Sequence, residues 1–257
     1  MKTEYYLINP TGNITVLVMT EIPVSEQPRL AAELMKKEPS AEQVGFVNFS
    51  GKTPEIRMAG GELCGNAAMS AAALYFSLKN QTGTVSLRFL GVDEIIPVSV
   101  EKREDGYICT AEMPVPKKIS KKLLTFDGTE YEFSAVEFKG ITHLVSEKEF
   151  DKETAEKAVR KWCAELKTGG LGIMFFDEEK TSLTPLVCVS KPETLFWENS
   201  CASGSCAVGA YLSDRDKKEI TVALKEPSGI LTVNSRYPDF VRITGSVIIE
   251  KYSEADI

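Results

Sequence analysis

Two cysteines stand at the head of matching runs, Cys64-Gly65-Asn66-Ala67-Ala68-Met69 and Cys201-Ala202-Ser203-Gly204-Ser205-Cys206. Each run puts a thiol before tiny residues and then continues as an apolar, helix-like stretch. The two cysteines lie 137 residues apart in a chain of 257, close to half its length. A thiol at a helix N-terminus is more acidic than a free one, and the N–H groups beside it suit an anion. A thiolate and a thiol acting together can take a proton from one face of a carbon and return another to the opposite face. That inverts a stereocentre with no cofactor. The same N–H groups can hold a carboxylate and stabilise the charge that flows into it when Cα loses its proton. The expectation is one site between two related halves, with a sulfur on either face of a substrate.

Taken alone, each cysteine could be a buried structural residue, the common fate of an intracellular thiol. The glycines Gly60, Gly61 and Gly65 and the polar Asn66 argue for close approach of a ligand at Cys64, and the repetition at Cys201 strengthens the case. Cys206 lies five residues after Cys201 but inside the apolar stretch, so packing is expected rather than a disulfide. Cys109, Cys163 and Cys188 fall on strand or helix patterns and read as core. There is one histidine, His143, and no Cys-x-x-Cys, so neither a metal nor a cofactor is expected. His143 is expected to pack or hydrogen-bond, with a supporting role beside the site as the alternative. Glu62 could compensate the helix end or serve as a site carboxylate.

The elements that must position these residues are strand-rich. Tyr5–Asn9 and Ile14–Met19 read as strands joined by the turn Pro10-Thr11-Gly12-Asn13. An amphipathic helix is expected over Arg29–Lys37, a strand over Gln43–Phe49, and strands over Val85–Leu90, Ile95–Val100 and Ile108–Met113. Pro114–Lys122, with two prolines and four lysines, reads as an exposed connection. This places the first domain at residues 1–116, carrying Cys64, and the second at 117–257, carrying Cys201. Return of the last strand to the first domain stays open. In the second half, strands near Glu130–Phe138 and Thr142–Val145 precede a helix over Lys152–Lys167, stopped by Gly169-Gly170. Strands over Gly172–Phe176, Leu186–Ser190 and Thr194–Trp197 lead into the second cysteine helix. Those at Ile220–Leu224, Leu231–Asn234, Phe240–Thr244 and Val247–Ile249 end the chain. Ala67–Leu78 has no charged face, the pattern of a fully buried helix. A central helix wrapped by mostly antiparallel strands, built twice, is the α+β architecture this grammar favours.

With 43% hydrophobic and 26% charged residues, the composition excludes disorder, and a net charge of −7 argues against nucleic acid or an anionic membrane as partner. The N-terminal residues carry no signal-peptide core, so a cytoplasmic protein is expected. Exposed strand edges make a homodimer a reasonable expectation.

These motifs resemble the diaminopimelate epimerase-like superfamily of cofactor-independent, two-cysteine amino-acid racemases and epimerases. Cys64-Gly65-Asn66-Ala67 resembles its Cys-Gly-Asn-Gly-Ala-Arg, and Cys201–Ala207 its Ala-Cys-Gly-Thr-Gly-Ala-Cys-Ala. Gly12-Asn13 matches an N-terminal Gly-Asn, Gly140–Val145 a Gly-Asn-Pro-His-x-Val stretch, and Ile243–Val247 a Met-Thr-Gly-Pro-Ala. The resemblance spans the chain in order and implies two pseudo-symmetric β-rolls, each around a buried helix. It implies Cys64 and Cys201 as the catalytic pair, with Asn13, Gly65, Asn66, Glu198, Ala202 and Ser203 binding an amino-acid substrate. Glu198 is then a candidate partner for the α-ammonium.

The departures narrow the substrate. The family Arg after the first motif is Ser70 or Met69 here, its Asn-Pro is Ile141-Thr142, and its Glu-Arg-Gly-x-Gly-Glu-Thr is compressed to Trp197-Glu198-Asn199-Ser200. An apolar Ile141 with no Arg is a poor host for a second carboxylate, because a buried charge needs a partner. The expected substrate has a single amino-carboxylate, and histidine fits because related racemases of this group act on it. Diaminopimelate or proline/hydroxyproline epimerases are alternatives within the isomerases. The phenazine-type isomerases share the fold but lack the cysteine pair. A non-catalytic amino-acid-binding protein on the same scaffold is the alternative from another class.

Overall fold

The structure, a computed structural model, describes residues 2–148, 150–190 and 193–256. The chain forms two compact units. The first takes residues up to Glu112 together with those from Thr244 on, and the second takes Met113–Ile243.

In the first unit β1 (Lys2–Pro10), β2 (Thr15–Val18), β3 (Gln43–Asn48), β4 (Glu55–Met58), β5 (Gly83–Phe89), β6 (Glu94–Arg103) and β7 (Gly106–Met113) are neighbours in that order. The chain's last strand, Phe240–Asp256 (β16), pairs with both β7 and β1 and so closes the ring. Two neighbouring pairs are parallel, β2 with β3 and β4 with β5. Each needs a crossover. Helix α1 (Gln27–Lys37) supplies the first and α2 (Gly65–Lys79) the second. Alternation does the rest: Val85, Leu87 and Phe89 of β5 and Ile96, Val98 and Val100 of β6 turn inward. Helix α2 packs against β1, β2, β4, β5 and β6, with Gly65–Leu74 and Phe76 all buried. Its alanines let strand backbone come close on every side, which a charged face would forbid.

The second unit repeats this succession. Strands β8 (Lys118–Phe126) and β9 (Thr129–Glu137) form a hairpin, and β9 pairs antiparallel with β10 (Ile141–Ser146). Helix α3 (Lys152–Leu166) then crosses to β11 (Gly170–Asp177), parallel to β10. After β12 (Ser182–Ser190) and the short β13 (Glu193–Trp197), α4 (Ala202–Asp216) crosses to β14 (Ile220–Glu226), which meets β12 in parallel; β15 (Gly229–Arg236) follows. In both units a cysteine sits where the second crossover helix begins. Trp162, Phe133, Leu144 and Ile173 form the core between α3 and its strands. Trp162 is seated there by its indole N–H, which donates to the Thr125 carbonyl at 3.2 Å.

Several elements differ from the sequence expectation. Lys118–Lys122 is not a connection but the start of β8, which ends the strand order beside β9: Lys118 and Lys121 are exposed and Lys122 half-buried, while Leu124 and Phe126 are buried. Helix α3 ends at Lys167 in the left-handed conformation (φ 51°), before the two glycines. A Cβ at Gly169 would lie 2.7 Å from the Gly140 carbonyl oxygen, so close strand approach is what requires glycine there. Strand β4 has only four residues and offers no sustained period to read. The two last expected strands are one, because Gly245 continues the extended chain and Thr244 Oγ1 meets Thr110 Oγ1 at 2.8 Å.

Candidate active site

In the first unit Cys64 is the N-cap of α2. Its backbone is extended (φ −130°, ψ 119°), and Sγ accepts the Ala67 N–H at 3.4 Å. A sulfur takes the place that a Ser or Asp oxygen usually fills. The thiol is half-buried, while Gly65 and Asn66 behind it are buried in the first helical turn. Glu62 stays at the surface; desolvation raises its pKa and the positive charge of Arg57 opposes the shift.

Asn13 ends the turn after β1, which Thr11 (φ 54°) and Gly12 (φ 92°) make in the left-handed region. Its amide is engaged on both sides: Nδ2 donates to Glu42 Oε2 at 2.6 Å, and Oδ1 accepts from Gln43 Nε2 at 2.5 Å. The sequence reading missed Glu42 and Gln43, since a Glu-Gln pair at the start of a strand carries no motif.

In the second unit Cys201 caps α4 in the same way. Its backbone is extended (φ −125°, ψ 98°), and Sγ accepts the Gly204 N–H at 3.3 Å. The side chain is buried, 4% exposed. Gly204 is required by this packing: a Cβ there would lie 2.2 Å from Met174 Sδ and 3.1 Å from Cys201 Sγ.

Ser203 Oγ stands 3.7 Å from Cys201 Sγ and 2.9 Å from His143 Nε2. His143 is fully buried, its ring edge-on to Phe138, and burial pushes its pKa down to about 3. Among the described residues Nδ1 has no hydrogen-bond partner. A buried N–H without an acceptor costs more than a bare acceptor nitrogen, so the proton belongs on Nε2. Nε2–H then donates to Ser203 Oγ, which leaves the serine hydroxyl proton to point elsewhere, with Cys201 Sγ within reach. Gly172, paired with His143 across β10 and β11, makes room: a Cβ there would fall 2.3 Å from Nδ1.

Two carboxyl groups complete the surroundings. Glu198, three residues before Cys201, accepts a hydrogen bond from the Cys201 thiol. Glu226, which sequence reading overlooked, is buried and accepts the Cys201 backbone N–H on Oε2 at 2.5 Å. Its Oε1 is bonded to Ser205 Oγ. The available signal was parity, because Glu226 shares the inward side of β14 with Val222 and Leu224, where an acid is out of place.

Burial, then the charges of Glu198 and Glu226, push the Cys201 thiol well above the usual range, against the Gly204 N–H. The expectation that helix ends bring both thiols toward neutrality is therefore corrected at Cys201: desolvation and two neighbouring acids outweigh one helix terminus. None of the six cysteines is in a disulfide; Cys206, Cys109, Cys163 and Cys188 are buried. Among the described residues no three His, Cys, Asp or Glu side chains gather as a metal site requires, and no helix is long and apolar enough to cross a membrane.

Solved structures share this fold over the whole chain. A phenazine biosynthesis PhzF-family protein of Enterococcus faecalis matches with a TM-score of 0.66 at 17% identity, covering 100% of both chains. A hydroxyproline epimerase from Agrobacterium vitis matches with a TM-score of 0.69 at 11% identity, covering 99% of this chain and 91% of its own. In sequence, a histidine racemase of Fusobacterium nucleatum subsp. nucleatum is 36% identical over 222 residues, 81% of each chain. Fold and relatives together define an amino-acid racemase or epimerase, an isomerase of the diaminopimelate epimerase-like fold. The sequence model of the histidine racemase CntK N-terminal domain matches residues 2–251, and the chain belongs to that family.

Proposed function

We propose that the protein inverts Cα of a free amino acid by a two-base reaction in which Cys64 and Cys201 are the proton carriers, and that the amino acid is histidine. The observation that carries this reading is the matched pair of thiol caps: each sulfur accepts an N–H from the first turn of a buried crossover helix. A thiol so placed is held at one end of an array of backbone donors. Relatives named histidine racemase support the substrate. The apolar Ile141 also suits a substrate whose side chain bears no second carboxylate.

Cys201 starts the cycle with its proton, and Cys64 serves as the base that takes the Cα proton of one enantiomer. The carbanion's charge spreads into the substrate carboxylate, where helix N–H groups stabilise it. Cys201 delivers its proton to the opposite face, leaving Cys64 as thiol and Cys201 as thiolate, the form that runs the reaction backwards. One proton enters and one leaves, so no cofactor is consumed. Ser203, with its hydroxyl proton directed by His143, can donate to the Cys201 thiolate in that half of the cycle. Asn13, Gly65, Asn66, Glu198 and Ala202 complete the proposed binding set, with Glu198 offered to the ammonium. We further propose a cytoplasmic protein of two β-roll domains, able to form a homodimer.

The test is a screen of L-amino acids in deuterated water with fully reduced protein, following loss of the Cα proton signal by NMR. Exchange with histidine and not with proline or diaminopimelate supports the reading. Exchange with none of them overturns it and favours an amino-acid-binding protein.

A further inference from the structure

In a capping box the backbone N–H of the N-cap residue is satisfied by the residue three positions on, which reaches back with a Glu or Gln side chain. In α4 that position is Gly204, which cannot carry a side chain because Met174 and the Cys201 sulfur fill the space. The structure supplies the missing carboxyl from another element. Glu226 ends β14, 25 residues beyond Cys201, and its Oε2 lies 2.5 Å from the Cys201 nitrogen. Its other oxygen meets the hydroxyl of Ser205, one turn into the same helix. Glu226 therefore grips the cysteine backbone and the first helical turn at once, from a rigid strand, while buried itself.

We infer that Glu226 is the positioning residue for Cys201, a long-range half of a capping box that fixes the thiol against the first turn of α4. This rests on the reading of Cys201 as a proton carrier. It touches the backbone and not the reacting atoms, so its effect on the reaction is exerted through the placement and surroundings of the sulfur.

The charge state of Glu226 matters as well as its place. The groups facing it are Cys201, Ser205 and Cys206 from α4 and Glu198 from the segment before that helix. In β15 its pairing partner is Gly229, which brings no charge. Burial raises its pKa to about 8, with Glu198 adding to the rise and the bonds from Ser205 and Cys201 opposing it. Burial thus favours the neutral acid near neutrality, with the Ser205 hydroxyl donating to one oxygen and the Cys201 N–H to the other. Above that pH a buried anion forms at the positive end of α4. It competes with a substrate carboxylate for that helix end and disfavours the Cys201 thiolate.

The experiment measures kcat and KM of histidine racemisation against pH for the parent, Glu226→Ala, Glu226→Gln and Cys201→Ser. Alanine leaves the Cys201 N–H without its partner, and loss of sulfur placement should lower kcat by about 10- to 100-fold with KM changed less than about threefold. Glutamine keeps an acceptor oxygen for the Cys201 N–H and carries no charge. It should recover at least about tenfold of that loss and lack the parent's fall in rate above about pH 8. The substrate amine titrates identically in all the proteins and cancels in the ratio of variant to parent. A parent-like kcat in Glu226→Ala, or a parent-like alkaline fall in Glu226→Gln, overturns the inference. If the alanine variant does not fold, the pH profile of the glutamine variant decides alone. Cys201→Ser separates the two layers: parent-level racemisation there means the two-thiol reading has failed, whereas its loss beside a parent-like Glu226→Gln profile means that only the role of Glu226 has.

Discussion

Gly204 offers a test in which two physical effects predict opposite signs. As the third residue of α4, an alanine there gains roughly 1 kcal/mol in helix propensity over glycine. The packing says otherwise. The added methyl would sit 2.2 Å from Met174 Sδ and 3.1 Å from Cys201 Sγ, both inside contact distance and both on buried side chains. Forcing a methyl into such a place costs about 1–3 kcal/mol. The methyl lies between the thioether and the thiol, so relief must come from moving one of them. If the thiol moves by about 1 Å, the rate falls by up to about 100-fold. Gly204→Ala should therefore lower kcat at least about tenfold and lower Tm, by roughly 2–4 °C per kcal/mol of net cost. The assay pairs thermal unfolding with Cα-proton exchange in deuterated water. A double variant with Met174→Ala makes the argument sharper, since the new methyl then occupies space the methionine has vacated. Placing Gly204→Ala in that background should cost at least about 1 kcal/mol less than in the parent. A Gly204→Ala protein that is more stable than the parent and equally active would refute the packing argument.

Three further outcomes follow from the same geometry. His143 has a folded pKa of about 3 against an ordinary 6.5, so protonation favours the unfolded chain: its contribution is intact above about pH 6.5 and is lost as pH falls toward 3, by at most about 5 kcal/mol. Urea midpoints at about pH 7 and pH 4 should show this loss in the parent and a smaller one in His143→Gln; equal losses would contradict it. Glu198→Gln removes an anion beside Cys201, so in a Cys64→Ser background the Cys201 thiolate should appear in ultraviolet absorbance at lower pH than with Glu198 present. An unchanged or higher titration would count against that contact. Ser203→Ala strips His143 Nε2 of its partner and should lower stability by about 1–3 kcal/mol, read by urea unfolding.

The buried helices were legible because α2 and the start of α4 lack any charged face, and no surface helix can afford that. The twofold grammar was legible for the same reason, since each helix begins with the same small-residue motif. Strand β8 was hidden because its run of lysines resembles a solvated linker when its partner β9 is unknown. At the site, sequence marked the two thiols and Glu198, which lie within motifs. Glu226 lay outside any motif, and its meeting with the Cys201 N–H depends on the register of β14 against α4. His143 carried no local sign of contact with Ser203, 60 residues on, because only strand pairing and helix packing bring them together.

The central claim is that two thiols divide one inversion between them. The direct measurement is Cα-proton exchange of L-histidine and of D-histidine, each in deuterated water, with Cys64→Ser and Cys201→Ser. The account predicts that neither variant racemises, and that any remaining exchange is confined to one enantiomer in one variant and to the other enantiomer in the other. Racemisation at the parent rate by either variant would contradict it.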